Sequence, residues 1–211
     1  QHPSMPTYKL TYFSARCRAE VARQLFYIAD VPFEDHRIAI SQWPVVKSKT
    51  PFGQLPMLEV DGEVLAQSHA IFRYLAKEFG FAGSTPLETA WVDAVADLQK
   101  DYFDSVVHVM MVMGGFDVGD KDQLVKDVAI PARDKHFPML EKLAKDNGSN
   151  GLFVNASLTW VDLLIADHVS VLLKHLPGFL DAFPIVLETV KKIEETPKLK
   201  EWIEKRPYSN F

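Results

Sequence analysis

The sequence has very little cysteine, since Cys17 is the only one among 211 residues. One cysteine cannot close an internal disulfide, and it cannot form a C-x-x-C redox pair. This excludes a small disulfide-stabilised fold and a dithiol redox site. The composition suits a reducing compartment, and we expect a cytoplasmic protein.

Long apolar runs and blocks of like charge are also missing. No stretch of 18 apolar residues occurs, and the opening residues QHPSMPTYKL lack the basic-then-apolar order of a secretory signal. The net charge of -5 arises from 28 acidic and 23 basic residues that are spread along the chain. A membrane protein or a nucleic-acid-binding protein is therefore not expected. We expect the native chain to begin at Met5 and leave residues 1–4 out of the fold prediction.

The sequence does contain alternating strand and helix patterns from residue 7 to about residue 80. TYKLTYF and FEDHRIAI read as strands, and the apolar residues between them have the spacing of one helix face. Asp61-Gly62 marks a hairpin turn in PMLEVDGEVLA, and SHAIFRYLAKEF reads as a further helix. This order predicts a thioredoxin-like domain over residues 5–80.

The rest of the chain shows helical patterns without strand signals. GFAGSTP, rich in glycine, small residues and proline, predicts a linker at 81–86. Residues 87–211 give long helical patterns and predict an all-helical domain. The expected fold class is thus α/β plus all-α, a thioredoxin-like domain followed by an all-helical C-terminal domain.

Two segments of the first domain could bind a ligand. Pro56 precedes a strand, where a cis peptide would turn the backbone of Leu55 towards a bound peptide, while a trans proline in an ordinary loop is the alternative. Gln67 and Ser68 lie where a strand gives way to a helix. That helix N-terminus could bind a carboxylate or phosphate, although Ser68 could equally act only as a cap.

One helix of the second domain has a start signal with a structural meaning. Thr159 and Asp162 lie three residues apart at the start of an apolar helix and predict a capping box, with no chemical role for Asp162. The histidines are scattered without the spacing of metal ligands, so no metal site is expected.

The chemistry could reside in either of two groups near the first strand. Tyr12 lies at the end of the strand TYKLTYF, and Cys17 follows five residues later. A reacting Cys17 would indicate a thiol enzyme, whereas a reacting Tyr12 would indicate an enzyme that activates the thiol of another molecule.

Taken together, these segments resemble the cytosolic glutathione S-transferases of the sigma class, nematode type, which are related to haematopoietic prostaglandin D synthase. YKLTYFSARCRAE, SQWPVVKSKTPFGQLPMLEVDG, LAQSHAIFRYLAKEFGFAG and LTWVDLL occur in the order and spacing of that family. The resemblance implies conjugation of the glutathione thiolate to hydrophobic electrophiles such as lipid-peroxidation products, with some peroxidase activity. It implies no cofactor, since glutathione is a co-substrate of the reaction.

The resemblance also assigns roles to single residues. Tyr12 and Arg18 would be catalytic, and a further set would bind glutathione together with Tyr12: Trp43, Lys47, Gln54, Leu55, Pro56, Gln67, Ser68 and, from the partner subunit of a homodimer, Asp101. A hydrophobic pocket for the second substrate would contain Phe13, Ala15, Cys17, Phe103 and His108. On this basis Tyr12, and not Cys17, is the residue that serves an incoming thiol.

One departure from the family concerns a metal. Lys100 stands between Asp97 and Asp101, where the prostaglandin synthase has a further aspartate of a cation-binding cluster.

Two other functions stay open: sequestration of haem or other hydrophobic ligands, and a prostaglandin D synthase-like isomerase. A purely structural role, as in related lens crystallins, is disfavoured by the retained glutathione-binding residues.

Overall fold

The computed structural model describes residues 5–147, 151–154 and 156–211. The chain divides into two compact units. The first contains the residues up to Phe81 together with Pro197–Phe211, and the second is Ala82–Thr196. The expected start at Met5 concerns residues 1–4, which lie outside the described residues.

The first unit is built on a four-stranded mixed sheet with the strand order β2-β1-β3-β4. β1 runs parallel to β2 and antiparallel to β3, and β3 runs antiparallel to β4. The strands and helices are β1 (Tyr8–Phe13), α1 (Glu20–Ile28), β2 (Glu34–Ile38), α2 (Trp43–Lys47), β3 (Met57–Val60), β4 (Glu63–Ala66) and α3 (Ser68–Phe79). The predicted thioredoxin-like arrangement is confirmed.

The core of this unit forms where helices α1 and α3 contribute apolar side chains beside the two central strands. Leu10 of β1 and Leu58 of β3 are fully buried, as are Phe26 of α1 and Ile71 of α3. The Phe26 ring also stacks on Phe33 at a centroid distance of 4.3 Å. Each such side chain contributes about 1.5–3 kcal/mol of hydrophobic free energy, which holds the sheet in a fixed register.

The hairpin between β3 and β4 turns at Asp61-Gly62, as predicted. Both residues have positive φ, 49° and 90°, the backbone that a two-residue hairpin turn requires. The Asp61 carboxylate also accepts hydrogen bonds from the backbone N–H and the hydroxyl of Thr7, at 2.8 and 3.0 Å. These contacts fix the hairpin to the residue that precedes β1.

The second unit is helical throughout its described elements. They are α4 (Pro86–Met113), α5 (Lys121–Leu124), a π-helical turn (Val125–Ala129), α6 (Ile130–Asp146), α7 (Trp160–His175) and α8 (Pro184–Glu194). The predicted capping box is present at the start of α7, where the Asp162 carboxylate accepts from the N–H of Thr159 at 2.8 Å and from its hydroxyl at 2.7 Å. Asp162 also accepts from the N–H of Phe153 at 3.0 Å, so its role here is structural. Among the described helices, none is both long and apolar enough to cross a membrane.

The last helix, α9 (Pro197–Lys205), belongs to the first unit and not to the second. The predicted helical range of 87–211 is thus divided in the structure. The physical reason is a set of contacts with α1: the Trp202 indole N–H donates to the Glu20 carboxylate at 2.7 Å, and the Trp202 ring packs 5.2 Å from that of Tyr27. We refer to Pro197–Phe211 as the C-terminal segment.

Candidate functional site

Most residues that the sequence assigns to glutathione converge at one end of the sheet. The registers Thr11↔Met57 and Met57↔Ala66 bring the end of β1, the start of β3 and the end of β4 side by side. Because β2 runs parallel to β1, its end and the following α2 lie at the same edge. The topology therefore gathers Tyr12, Pro56, Gln67 and α2 into one region of the first unit.

Tyr12 lies at this edge with only 8% of its surface exposed. Burial raises the pKa of Tyr12 well above its ordinary value, and a negative charge on Cys17 would raise it further. The backbone N–H of Arg18 and the positive charges of Arg18 and Arg23 act in the opposite direction but do not offset burial. The phenol therefore stays protonated at neutral pH and can donate a hydrogen bond.

Arg18 and Cys17 lie in the 3₁₀ turn Cys17–Ala19 that follows β1. Cys17 is exposed and has a φ of 38°, in the left-handed region. Arg18 is half-buried, and its field reaches the Tyr12 hydroxyl. The turn thus presents a positive charge and an accessible thiol beside the buried phenol.

Trp43 and Lys47 lie at the two ends of α2. The Trp43 ring packs edge-on against the Phe13 ring at a centroid distance of 5.6 Å, and the Phe13 ring lies 5.4 Å from that of Tyr12. Lys47 is exposed, and its side chain packs beside Gly53. A Cβ atom added to Gly53 would lie in van der Waals contact with the Cε atom of Lys47, at 3.6 Å. An aromatic row therefore leads from Tyr12 to α2, which ends in an accessible ammonium group.

The residues around Pro56 adopt the geometry that the resemblance implies. The Leu55-Pro56 peptide bond is cis, so the trans alternative is wrong. The Gln54 side-chain oxygen lies 3.5 Å from the side-chain nitrogen of Gln67. This contact joins the loop before β3 to the start of α3.

Ser68 is the first residue of α3 and is buried, and the position before it is taken by Gln67. Gln67 has a φ of 73°, and its side chain makes no capping hydrogen bond to the helix. A helix of 12 residues that starts here directs its first N–H groups and the positive end of its dipole towards this edge of the sheet. The arrangement is suited to a carboxylate.

Three predicted residues, Asp101, Phe103 and His108, lie in the second unit on α4. Asp101 is exposed, and its implied role concerns a second subunit and stays a prediction. The Phe103 ring lies 5.7 Å from the ring of His168, and the Nδ1 atom of His108 lies 3.3 Å from an oxygen of Asp117.

Lys100, which departs from the family pattern, pairs with Asp104 one helical turn further along α4. Within residues 5–147, 151–154 and 156–211, no group of three or more His, Cys, Asp and Glu side chains is placed to hold a metal ion.

A buried ion pair in α1, Glu20 with Arg23, was missed by the sequence analysis. Both side chains are almost fully buried, and Arg23 reaches the turn that follows Tyr12. The sequence shows two opposite charges three residues apart, the spacing of an ion pair, but its local pattern does not indicate that they are buried.

Comparison with known proteins places these features in a family. The N-terminal domain of glutathione S-transferases matches residues 8–77, and the C-terminal domain matches residues 104–206. Glutathione S-transferase 1 of Ascaris suum is 48% identical over 207 residues, which cover 98% of this chain and 100% of the relative.

Two solved structures illustrate the similarity in three dimensions. A monomeric glutathione S-transferase of the hookworm Necator americanus has a TM-score of 0.93 at 43% identity, covering 97% of this chain and 100% of its own. A Nu-class glutathione S-transferase of Haemonchus contortus has a TM-score of 0.89 at 46% identity, covering 98% and 100%. The chain belongs to the glutathione S-transferase family.

Proposed function

We propose that this protein conjugates glutathione to hydrophobic electrophiles and that the Tyr12 hydroxyl donates a hydrogen bond to the glutathione sulfur. The observation that carries the proposal is the buried phenol of Tyr12 at the edge of the sheet, with its pKa raised by burial. A donor that stays protonated while the thiol ionises stabilises the thiolate selectively. Family membership supports the transferase function.

The energy required is within reach of these groups. A thiol with a pKa of about 8.5 is only about 3% ionised at pH 7, and lowering that pKa by about two requires about 2.7 kcal/mol. One hydrogen bond to a charged group contributes roughly 1.5–3 kcal/mol. Tyr12 can supply most of this energy, and the positive charge of Arg18 adds to it. Further acceleration arises from holding the thiolate and the electrophile together.

The rest of the tripeptide would bind along the same edge of the sheet. The Leu55 backbone beside cis-Pro56 would pair with the cysteinyl unit, and the start of α3 at Gln67 and Ser68 would bind the γ-glutamyl carboxylate. At the other end, Lys47 would pair with the glycine carboxylate. Trp43 and Gln54 would complete the site, and in this proposal glutathione is a co-substrate and no cofactor takes part.

We also propose that the protein is a homodimer in which Asp101 reaches the γ-glutamyl amine of the partner's glutathione. The exposed face of α4 supports this arrangement, because Leu87, Trp91 and Asp101 are all exposed and fall on one side of the helix by their spacing. Leu87 and Trp91 lie one helical turn apart, and a contiguous exposed apolar patch is typical of an interaction surface. The hookworm relative is monomeric, so the sedimentation behaviour of this protein is the measurement that tests the dimer.

The finer assignments follow from the same resemblance. We assign the chain to the sigma class on the motifs around Tyr12 and Pro56, and we place it in the cytoplasm on its single cysteine. The Nu-class relative is 46% identical to this chain, between the 43% of the hookworm protein and the 48% of the Ascaris suum protein, so the sigma class is part of the proposal. Haem sequestration and prostaglandin isomerisation are alternative activities, and competition by haem against the transferase assay tests the first of them.

The experiment that tests the proposed function is a steady-state assay with glutathione and a chlorodinitrobenzene-type electrophile. Tyr12→Phe removes the donor but keeps the ring, and we expect kcat/KM to fall about ten- to a hundredfold, in line with one lost hydrogen bond to a charge. The apparent pKa of bound glutathione should rise in parallel. Tyr74→Phe, which removes a hydroxyl from α3 in the same unit, is the matched control. Equal activity of Tyr12→Phe and wild type would refute the role of Tyr12.

A further inference from the structure

Helix α1 carries two buried charges that the proposed chemistry does not use. Arg23 is fully buried and Glu20 is 1% exposed, and their side chains approach to 3.5 Å between Nη1 and Oε2. Burying two charges is expensive, and apolar residues of similar volume often give equal or greater stability. A requirement other than stability would therefore explain this pair.

The guanidinium of Arg23 binds the turn that carries the site. Its Nη1 donates to the backbone oxygen of Ala15 at 2.5 Å, and its Nη2 donates to that of Phe13 at 3.3 Å. Its Nε donates to the Asp35 carboxylate of β2 at 3.1 Å. The two carbonyls belong to the first and third residues after Tyr12, so one rigid planar group fixes the direction in which the chain leaves β1.

The same cation also acts on Tyr12 itself. The Arg23 Cζ lies 6.0 Å from the centroid of the Tyr12 ring, and the positive charge lowers the pKa of the phenol against the effect of burial. Arg23 is thus linked to Tyr12 both through the backbone and through the field at the hydroxyl.

Glu20 connects this arrangement to the C-terminal segment. Its Oε1 accepts from the Trp202 indole N–H at 2.7 Å and from Nη1 of Arg206 at 3.1 Å, while its Oε2 faces Arg23. A second connection runs through the backbone, where the N–H of Arg16 donates to the Phe211 oxygen at 2.6 Å. The C-terminal segment therefore contacts the turn after Tyr12 at Arg16 and the start of α1 at Glu20, within one compact unit.

We propose that Glu20 and Arg23 are positioning residues, which hold the Tyr12 hydroxyl and the Arg18 turn in the geometry that stabilises the glutathione thiolate, and that Trp202 secures them from the C-terminal segment. This inference rests on the proposed role of Tyr12. Arg23 acts indirectly, through the position of Tyr12, because its hydrogen bonds hold the backbone of the turn after Tyr12 and the carboxylates of Glu20 and Asp35. A small displacement of a donor from its acceptor is enough to lose most of a catalytic hydrogen bond.

The test is the Arg23→Lys variant, which keeps the charge but loses the planar fork. We expect kcat/KM for glutathione and a chlorodinitrobenzene-type electrophile to fall about ten- to a hundredfold, as a misplaced catalytic group predicts. The apparent pKa of the bound glutathione thiol, read from the pH profile, should rise by about one, which corresponds to a tenfold weaker thiolate stabilisation. The KM for glutathione should change less than kcat.

A matched control is Arg133→Lys in the second unit. Arg133 also donates to a backbone oxygen, that of Phe179 at 3.0 Å, and both residues belong to the second unit. We expect kcat/KM and the thiol pKa to stay at the wild-type values in this variant. Trp202→Phe, which keeps an aromatic ring at this position and removes the N–H donor to Glu20, should shift the thiol pKa in the same direction as Arg23→Lys but by less. If Arg23→Lys does not fold, the thiol pKa of Trp202→Phe tests the positioning role in its place.

A double-mutant cycle separates this inference from the proposed function. If Arg23 acts through Tyr12, adding Arg23→Lys to Tyr12→Phe should produce little further loss, whereas independent effects would multiply. A shifted thiol pKa in Tyr12→Phe with a normal value in folded Arg23→Lys and Trp202→Phe overturns the inference alone. A normal thiol pKa in Tyr12→Phe overturns the proposed function and the inference together.

Discussion

At the scale of the residue, the turn after β1 holds two groups with opposite environments. Tyr12 is buried and its pKa is raised, whereas Cys17 is exposed in the 3₁₀ turn. A hydrogen-bond donor benefits from the low dielectric of a buried position, because its effect on a nearby thiolate is less screened there. The environments therefore favour Tyr12 as the group that serves an incoming thiol.

Cys17 leads to a prediction about stability. Its φ of 38° is unfavourable for a residue with a Cβ and suits glycine. We expect Cys17→Gly to raise the free energy of unfolding by about 1 kcal/mol, since relief of the strained backbone exceeds the added entropy of the unfolded chain. Urea denaturation of both proteins measures the difference.

Cys17→Ala is the control for this prediction, because it removes the thiol and keeps the Cβ. Its stability and turnover should stay close to those of wild type. If Cys17→Ala lost activity to the extent expected of Tyr12→Phe, the thiol and not the phenol would be the reacting group. Equal stability of the glycine and alanine variants would show that the turn is not strained.

At the scale of the element, the sequence was sufficient to predict those elements whose pattern lies within a few neighbouring residues. The period of the apolar residues identified β1 and α3, and Asp61-Gly62 identified the hairpin, because each depends on neighbours within a few positions. The capping box at Thr159 and Asp162 was predictable for the same reason. The family resemblance added the cis state of Pro56, for which the local residues alone left two alternatives.

Contacts between distant segments were beyond the reach of these local patterns. Trp202 and Glu20 are separated by 182 positions, and nothing near either residue indicates the hydrogen bond between them. For this reason the local patterns did not indicate that α9 packs with the first compact unit. The buried position of Arg23 likewise depends on β2 and on the turn after β1, which meet only in the folded unit.

The contact between α4 and α7 leads to a prediction about pH. His168 of α7 packs edge-on against the Tyr102 ring of α4 at 5.3 Å, and burial lowers the pKa of His168 to about 4. In the unfolded chain this pKa returns to about 6.5, so between these pH values the unfolded state binds a proton that the folded state does not. The free energy of unfolding should therefore fall as the pH decreases from 6.5 to 4, by on the order of 3 kcal/mol from this residue.

His168→Phe should remove this part of the pH dependence, because phenylalanine fills the same aromatic contact without titrating. The measurement is chemical denaturation at pH 7 and at several lower values down to pH 4. His36→Gln is the control, since His36 is exposed on β2. A pH dependence in His168→Phe equal to that of wild type would show that the histidine is not buried in its neutral form.

At the scale of the whole molecule, the open question is the number of subunits in the functional enzyme. The family fold and the exposed face of α4 favour a dimer, and the monomeric hookworm relative shows that this fold also exists as a single chain. The question bears on chemistry, because a dimer would allow Asp101 to complete the site of its partner. A monomer would have to bind the γ-glutamyl amine in another way.

Trp91→Glu addresses this question directly. Trp91 is 53% exposed on α4, and if a second copy covers it, the substitution places a charge in an apolar interface. We expect the dimer dissociation constant to rise by about thirtyfold or more, the cost of losing an interface aromatic of the kind that dominates binding. Sedimentation velocity at several concentrations measures the shift, and the KM for glutathione should rise together with the monomer fraction because Asp101 leaves the site.

Val118→Glu, which adds the same charge to a fully accessible apolar residue outside that face, should change neither quantity. A wild-type protein that sediments as a monomer with full activity would reject both the dimer and the role of Asp101, and glutathione would then be bound by the residues of one chain.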